Sequence, residues 1–128
     1  MSDFSFLATV KSHLQSKITE QNFYLTPHTE VNYPCCLLEI DEIKQNISLG
    51  ENSALSKIKF RTVCLDGDVG VKSSFDQSRK INQFLDGQTL VLADGRSAIV
   101  KLMGSVVDIS KNGHKKTVSH HYESLLRR

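Results

Sequence analysis

The sequence predicts an α+β domain with a mostly antiparallel sheet of about four to five strands and two helices packed on one face. Three observations support this prediction. Apolar residues recur at helical spacing in two segments, and they alternate with polar residues in several others. Asp-Gly and Asn-Gly pairs, which favour tight hairpin turns, separate the segments of the C-terminal third.

The length and the charge of the chain limit its class. With 128 residues we expect one domain, residues 1–128, around a single modest core. The net charge is +2, from 16 basic and 14 acidic side chains, far below the basic excess of a protein that coats nucleic acid. No apolar run is long enough to cross a bilayer. Lys11 and His13 interrupt the N-terminal apolar residues, so the sequence favours synthesis in a reducing, intracellular setting over secretion.

The first half of the chain predicts a helix and two strands. Apolar residues at steps of three and four predict an amphipathic helix over residues 3–20. The alternation in CCLLEIDEI predicts a strand that begins after Pro34, and the polar residues 45–53 indicate a loop or an extended hairpin tip. The stretch ALSKIKFRTVCL predicts the next strand, with one apolar and one basic face. The apolar face carries Ile58, Phe60, Thr62 and Cys64, and the basic face carries Lys57, Lys59 and Arg61.

The segment LDGDVGVKSS, residues 65–74, resembles pieces of a phosphate-binding loop. A Walker-type loop has four residues between its glycines and a lysine directly after the second glycine. Here two residues separate Gly67 from Gly70, and Val71 stands before the lysine. We therefore interpret the segment as a turn from a strand into a helix, without a nucleotide.

The helix that follows is predicted over residues 74–86. Its apolar side includes Ile81, and Ser73 or Ser74 is expected to cap its first turn. Gly87 is expected to end it, because glycine adopts the left-handed conformation that terminates many helices.

The C-terminal third predicts consecutive hairpins. Asp94-Gly95 joins a short strand to a long one over residues 97–109, and Gly104 indicates a bulge or bend within the long strand. Asn112-Gly113 predicts a second turn into the final strand, KTVSHHYESLL. We expect Ala98, Val100, Leu102 and Val106 on one side of the long strand, and Val118, His120 and Tyr122 on one face of the final strand.

The cysteines and histidines are the candidates for chemistry. An odd number of cysteines at this spacing is a poor disulfide framework, so we interpret Cys35, Cys36 and Cys64 as buried strand residues. A zinc site from Cys35, Cys64 and His120 or His121 is conceivable, but no metal-binding spacing supports it. The same holds for a Cys64–histidine nucleophile pair. We expect no cofactor, no metal and no catalytic residue, and therefore no enzyme.

The order of these segments resembles that of tail terminator proteins, also called tail completion or minor tail proteins, of long-tailed bacteriophages and gene-transfer particles. The resemblance spans nearly the whole chain. The residues that carry it are the N-terminal helix followed by YPCCLLEIDEI, then ALSKIKFRTVCLDGD, FDQSRKINQFLDG, TLVLADGRSAIVKL and DISKNGHKKTVSHHYESLLRR. The family has a glycine-containing loop where GDVG stands here, and Pro34 matches its proline before the strand. The adjacent cysteines are not part of the family pattern.

This resemblance implies assembly rather than catalysis. Such proteins form a ring, typically a hexamer, that caps the growing tail tube, stops its polymerisation and presents a surface to the head-side connector. The implied partners are copies of the chain itself, the tail tube protein and the head–tail connector or stopper protein. The implied location is the virion tail, assembled in the bacterial host cytoplasm, with no membrane and no specific nucleic acid.

In a ring, one face of each subunit contacts a different face of the next subunit. The sequence offers a basic strand face against an acidic one, and two polar tips that could reach the tube or the connector. Ordinary solvated strand faces and turns are the alternative for each. The candidate interface residues are Lys57, Lys59, Arg61, Glu39, Asp41 and Glu42 on the faces, and Gln45, Asn46, Glu51, Asn52, Lys111, Asn112, His114, Lys115 and Lys116 at the tips.

Two other function classes stay open from the sequence. Another neck component of the same kind of particle, such as a head–tail stopper, would share the small size, but that group tends toward a β-barrel. A small nucleic-acid-binding module would use the basic strand face, but the sequence does not place exposed aromatic residues beside it for base stacking.

Overall fold

The computed structural model describes residues 3–19, 22–25, 35–48, 54–65, 71–92, 95–109 and 116–127. These residues form two helices and six strands. In chain order they are α1 (Asp3–Lys17), β1 (Asn22–Leu25), β2 (Cys35–Ser48), β3 (Ala54–Leu65), α2 (Val71–Leu85), β4 (Thr89–Val91), β5 (Ser97–Ile109) and β6 (Lys116–Arg127).

All the described strands belong to one sheet, in the order β1-β2-β3-β6-β5-β4. The neighbouring strands are antiparallel except for β1, which lies parallel to β2. The long strands β2, β3, β6 and β5 form the middle of the sheet. The short strands cover only parts of the outer long strands: β1 pairs with Cys35–Leu38 of β2, and β4 pairs with Ser97–Ile99 of β5.

The predicted α+β class is confirmed, with six strands in place of the expected four to five. The strand missing from the prediction is β1. Its four residues are too few to show an alternating pattern, and only the parallel contact with β2 makes them a strand. In addition, β2 continues to Ser48, so Gln45–Ser48 belong to this strand, which favours the extended hairpin over the loop for this part of residues 45–53.

Both helices pack on one face of the sheet, which we call the inner face, as the sequence predicted. The opposite, outer face carries Lys57, Lys59 and Arg61 and has no described helix over it. The buried core lies between the helices and the inner face. It includes Phe6, Val10 and Leu14 of α1, Ile18 directly after α1, Ile81 and Leu85 of α2, and Cys36, Leu38, Ile58, Phe60, Cys64, Val100, Tyr122 and Leu126 of the sheet.

Three register shifts interrupt the pairing of the long strands, one of them between Lys44 and Ile47 of β2. The other two are β-bulges that decide which of the described side chains reach the outer face. In β2 the register with β3 shifts between Ile40 and Glu42, so Asp41 is the extra residue. In β5 the register with β6 shifts between Leu102 and Gly104, which confirms the bulge predicted from the glycine and makes Met103 the extra residue. An extra residue reverses the alternation of faces along the rest of its strand.

The bulge at Met103 makes one sequence prediction wrong. Val106 does not share a side with Ala98 and Val100, which are fully buried on the inner face. It pairs with Ser119, lies on the outer face and is 53% exposed.

Helix α2 begins earlier than predicted and ends where predicted. Because it starts at Val71, Ser73 and Ser74 lie inside its first turn, and their assignment as the N-cap is wrong. The apolar pattern gave a late start because the residues of the first turn are mostly polar. At the other end, Gly87 has a φ of 76°, and its N–H donates to the carbonyl oxygen of Val100 at 2.8 Å. The predicted glycine stop is confirmed. Gly67 and Gly70 lie outside the described residues, so the turn interpretation stays a prediction.

The hairpin between β4 and β5 is also confirmed. The Gly95 N–H donates to the carbonyl of Leu92 at 2.9 Å, and the Leu92 N–H donates to the carbonyl of Arg96 at 2.8 Å. Gly95 has a φ of 89°. This is the pattern of a three-residue loop that closes with a left-handed glycine, and it brings β4 back onto β5.

The left-handed conformation of Gly87 can be tested against a glycine of ordinary conformation. We expect Gly87→Ala to lower the free energy of unfolding by about 1–2 kcal/mol, because a Cβ is disfavoured at that φ although no neighbour would touch it. Gly104→Ala is the matched control, since a Cβ there also meets nothing within 4 Å and the φ is not left-handed. Urea unfolding of both variants measures the difference, and equal effects would contradict this account.

Candidate subunit interface

Charged side chains of β2, β3 and β6 pair with one another across the outer face. The Arg61 Nε donates to Glu39 Oε2 and lies 3.5 Å from Asp41 Oδ1. Lys59 Nζ lies 3.7 Å from Glu42 Oε2. On the β6 side of β3, Lys57 Nζ lies 3.4 Å from Glu123 Oε1. All three basic residues of the β3 outer face therefore have an acidic neighbour in the same chain.

The bulge in β2 assembles the densest part of this network. Glu39 and Glu42 are three residues apart, so regular alternation would place them on opposite faces. The extra residue Asp41 brings both onto the outer face, opposite Arg61 and Lys59 respectively. The Asp41 carboxylate also lies 3.2 Å from Nδ1 of His121 on β6. One carboxylate thus reaches across β3 and links three strands.

These pairs change how the predicted interface is understood. The sequence analysis set the basic face of one subunit against the acidic face of the next, whereas the structure brings both sets together within one chain. Their side chains keep between 19% and 44% of their surface exposed, so each pair is screened and contributes at most about 1 kcal/mol. That the same residues also contact a neighbouring subunit stays a prediction.

The predicted polar tips fall largely outside the described residues. Gln45 and Asn46 are residues of strand β2. Lys116 is the first residue of β6, where it pairs with Ile109. The remaining tip residues lie outside the described ranges, and their interface role stays a prediction. They are Glu51, Asn52, Lys111, Asn112, His114 and Lys115.

Sequence reasoning missed an apolar surface on the β4–β5 side of the sheet. Ile99 of β5 and its β6 partner Leu125 lie on the outer face, 60% and 45% exposed, and Val91 of β4 is 66% exposed. Further along β5, Met103, Val106 and Val107 are also exposed. Gly104 was an available signal only for Val106, because the bulge turns this residue to the outer face.

The three cysteines are buried on β2 and β3, and His120 and His121 lie on β6. Cys36 and Cys64 are directly opposite each other on the inner face, whereas His120 and His121 point to opposite faces. Burial raises the pKa of Cys35 to about 11 and that of Cys36 well above its usual range. Both thiols are therefore protonated at neutral pH, which makes them weak nucleophiles and weak metal ligands.

The described residues include neither a metal-binding cluster nor a helix that could cross a membrane. No three His, Cys, Asp or Glu side chains within the described ranges lie close enough together to hold a metal ion. Neither described helix combines the length and the apolar character that crossing a membrane requires.

Comparison with known proteins identifies the fold. No family model matches the sequence, and no curated protein matches it significantly. Among solved structures, the chain is similar to a chain in a structure described as "Virion of native gene transfer agent (GTA) particle". The TM-score is 0.79 at 11% identity, over 98% of this chain and 96% of that chain. This protein therefore shares its fold, over nearly the full length of both chains, with a chain of a gene transfer agent virion.

The half-buried His120 makes stability depend on pH. Its pKa is lowered, first by burial and then by the nearby His121. Because the imidazole binds a proton more readily in the unfolded chain, its contribution to stability is complete above about pH 6.5 and is lost as the pH falls through the lowered folded value. We expect the free energy of unfolding to fall between pH 8 and pH 5.5, and to fall less in His120→Gln. Urea unfolding at both pH values measures this, and an identical fall in the variant would refute it.

Proposed function

We propose that this chain is a structural protein of a phage-like or gene-transfer particle, and within that group a tail terminator. In this role six copies of the chain form a ring. The ring caps the tail tube, ends its polymerisation and joins it to the head-side connector. Its partners are other copies of itself, the tube protein and the connector or stopper protein. It acts by contact and not by catalysis.

The observation that carries the proposal is the fold likeness to a chain of a gene transfer agent virion. It covers 98% of this chain and 96% of that chain. The order of elements that suggested the tail terminator family is also the order found here, apart from the added strand β1. The two helices distinguish this fold from the β-barrel typical of head–tail stoppers.

The surface supports assembly over nucleic-acid binding. A nucleic-acid module would present unpaired basic side chains to phosphates. Here Lys57, Lys59 and Arg61 each have a carboxylate neighbour. Near β2, the charged side chains of the outer face form ion pairs with one another, whereas near Ile99 and Leu125 the outer face is apolar. Exposed apolar surface is typical of sites that contact other proteins.

The test is the mass of the protein in solution, measured by light scattering over a range of protein and magnesium concentrations. We expect a species near six times the 14.4 kDa chain mass that grows with protein concentration, because ring closure is a mass-action equilibrium. Fluorescence titration with DNA and RNA at low and high salt is the companion measurement. A monomer that binds either polymer with strong salt dependence would refute the terminator role and favour the nucleic-acid module.

A further inference from the structure

Part of β5 forms an exposed edge of the sheet. Strand β4 pairs only with Ser97–Ile99, and β5 continues to Ile109. The segment Met103–Ile109, which we call the β5 edge, has β6 on one side and no second strand among the described residues on the other. Met103, Val106 and Val107 on this edge are 56%, 53% and 45% exposed.

Apart from the bulge at Met103 and the charge of Asp108 near its end, this edge lacks the devices that keep isolated edges apart. Natural proteins protect exposed edges with prolines, inward-pointing charges or very short strands. The β5 edge has no proline, and between Met103 and Val107 it has no charged residue. Its bulge lies at Met103 and leaves the following residues in regular pairing with β6. Such an edge is suited to accept another strand.

A second edge lies at the opposite end of the sheet. Strand β1 pairs only with Cys35–Leu38, and β2 continues to Ser48. The segment Glu39–Ser48, which we call the β2 edge, is paired with β3 on one side, and no described strand lies on its other side. On the inner face it carries the half-buried Ile40 and Ile43, which pack at the margin of the core.

We propose that the β5 edge of one copy of this chain pairs with the β2 edge of the next copy, so that neighbouring subunits share one continuous sheet. The proposal rests on the ring assembly of the proposed function and names the contact that builds it. The occupant of each edge is therefore a second copy of the chain.

The strand directions fit this pairing. Three antiparallel steps, from β2 to β3, from β3 to β6 and from β6 to β5, leave β5 antiparallel to β2. A copy related by rotation keeps the direction of its own strands. Its β2 would therefore run antiparallel to the adjacent β5, and the contact would be heterologous, as a closed ring requires.

The positions of the edges also fit a closed ring. Through the registers of β6 and β3, Val106 lies level with Leu37, which β1 already covers. Val106 must meet a residue of the same outer face, and Lys44, the register partner of Lys57, is such a residue in the β2 edge. Joining Val106 to Lys44 needs an offset of six residues along β3, from Val63 to Lys57, or about 20 Å. From β2 of one copy to β2 of the next there are four strand spacings, about 19 Å in all. This ratio gives a strand tilt of about 45°, close to the tilt of closed barrels.

At this offset the short strands do not interfere. The next copy's β1 would lie beyond Ile109, and β4 beside Ser97–Ile99 would lie beyond the next copy's Ser48. Val107 is on the inner face because it pairs with the buried Val118. The contact would therefore bring the exposed side chain of Val107 toward the apolar Ile40 and Ile43 of the next copy.

The backbone donors of the contact can be assigned. The Leu102 N–H points away from β6, since it donates to Asp86 Oδ1 at 2.9 Å. The extra residue Met103 shifts the alternation by one, so Ser105 and Val107 are the next residues whose N–H groups point away from β6. Proline at Ser105 would remove one outward donor without breaking a bond to β6. The preceding residue is Gly104, which has no Cβ to clash with the proline ring.

The test compares Ser105→Pro with Ser105→Ala by light scattering. The alanine variant keeps the N–H and is expected to assemble like the wild type. The proline variant is expected to need at least a tenfold higher protein concentration for the same oligomer fraction. Circular dichroism and thermal unfolding of each monomer confirm that both variants are folded. Wild-type assembly by a folded proline variant would overturn the proposed contact and leave a ring, and the proposed function, intact.

Cross-linking identifies the partner edge independently of the proline. Chains with Val106→Cys and chains with Glu42→Cys are mixed and treated with a short bismaleimide, with the wild type as control for the buried native cysteines. We expect a cross-linked pair in the mixture and none in either variant alone. Pairing of Val106→Cys chains with each other would instead indicate a twofold dimer and overturn the proposal. A wild type that is monomeric at all concentrations would overturn both the contact and ring formation in solution.

Discussion

Stacking of aromatic rings in the core is the interaction on which the rest of the structure depends. Phe60 of the central strand β3 contacts Phe6 of α1 edge to face and stacks on Tyr122 of β6, each at a centroid distance of 5.4 Å. The Tyr122 hydroxyl donates to Asn82 Oδ1 of α2 at 3.0 Å. One contiguous group therefore links both helices to the two middle strands. Aromatic pairs add about 0.5–1.5 kcal/mol each beyond burial, and here they also fix the helices to the inner face.

The same burial keeps the inner-face polar groups in structural roles. Burial is the first cause of the raised pKa of Tyr122, so its hydroxyl keeps the proton that it donates to Asn82. Burial also keeps the thiol of Cys36 protonated and favours the neutral form of His120. The Tyr122 hydroxyl links β6 to α2, and the protonated thiol of Cys36 is a weak nucleophile.

Because both helices cover the inner face, the outer face and the edges of the sheet are the surfaces left open among the described residues. The charges near β2 already have partners within the chain, so they contribute little free attraction. The apolar side chains and the backbone groups along β5 have no comparable cover among the described residues. In the proposed assembly, the covered face would stabilise the fold and the uncovered edges would carry the contacts.

The sequence by itself determined the class of the fold, the bounds of β3, the start of β2 after Pro34 and the glycine that ends α2. These features depend on local alternation, helical spacing and backbone conformation, which neighbouring residues dictate. Only the tertiary structure decided the short strand β1, the outer position of Val106 and the pairing of Arg61 with Glu39 in one chain. Each of these depends on register between distant segments. A single bulge moves every later side chain to the other face, and local patterns do not show to which strand a short segment will pair.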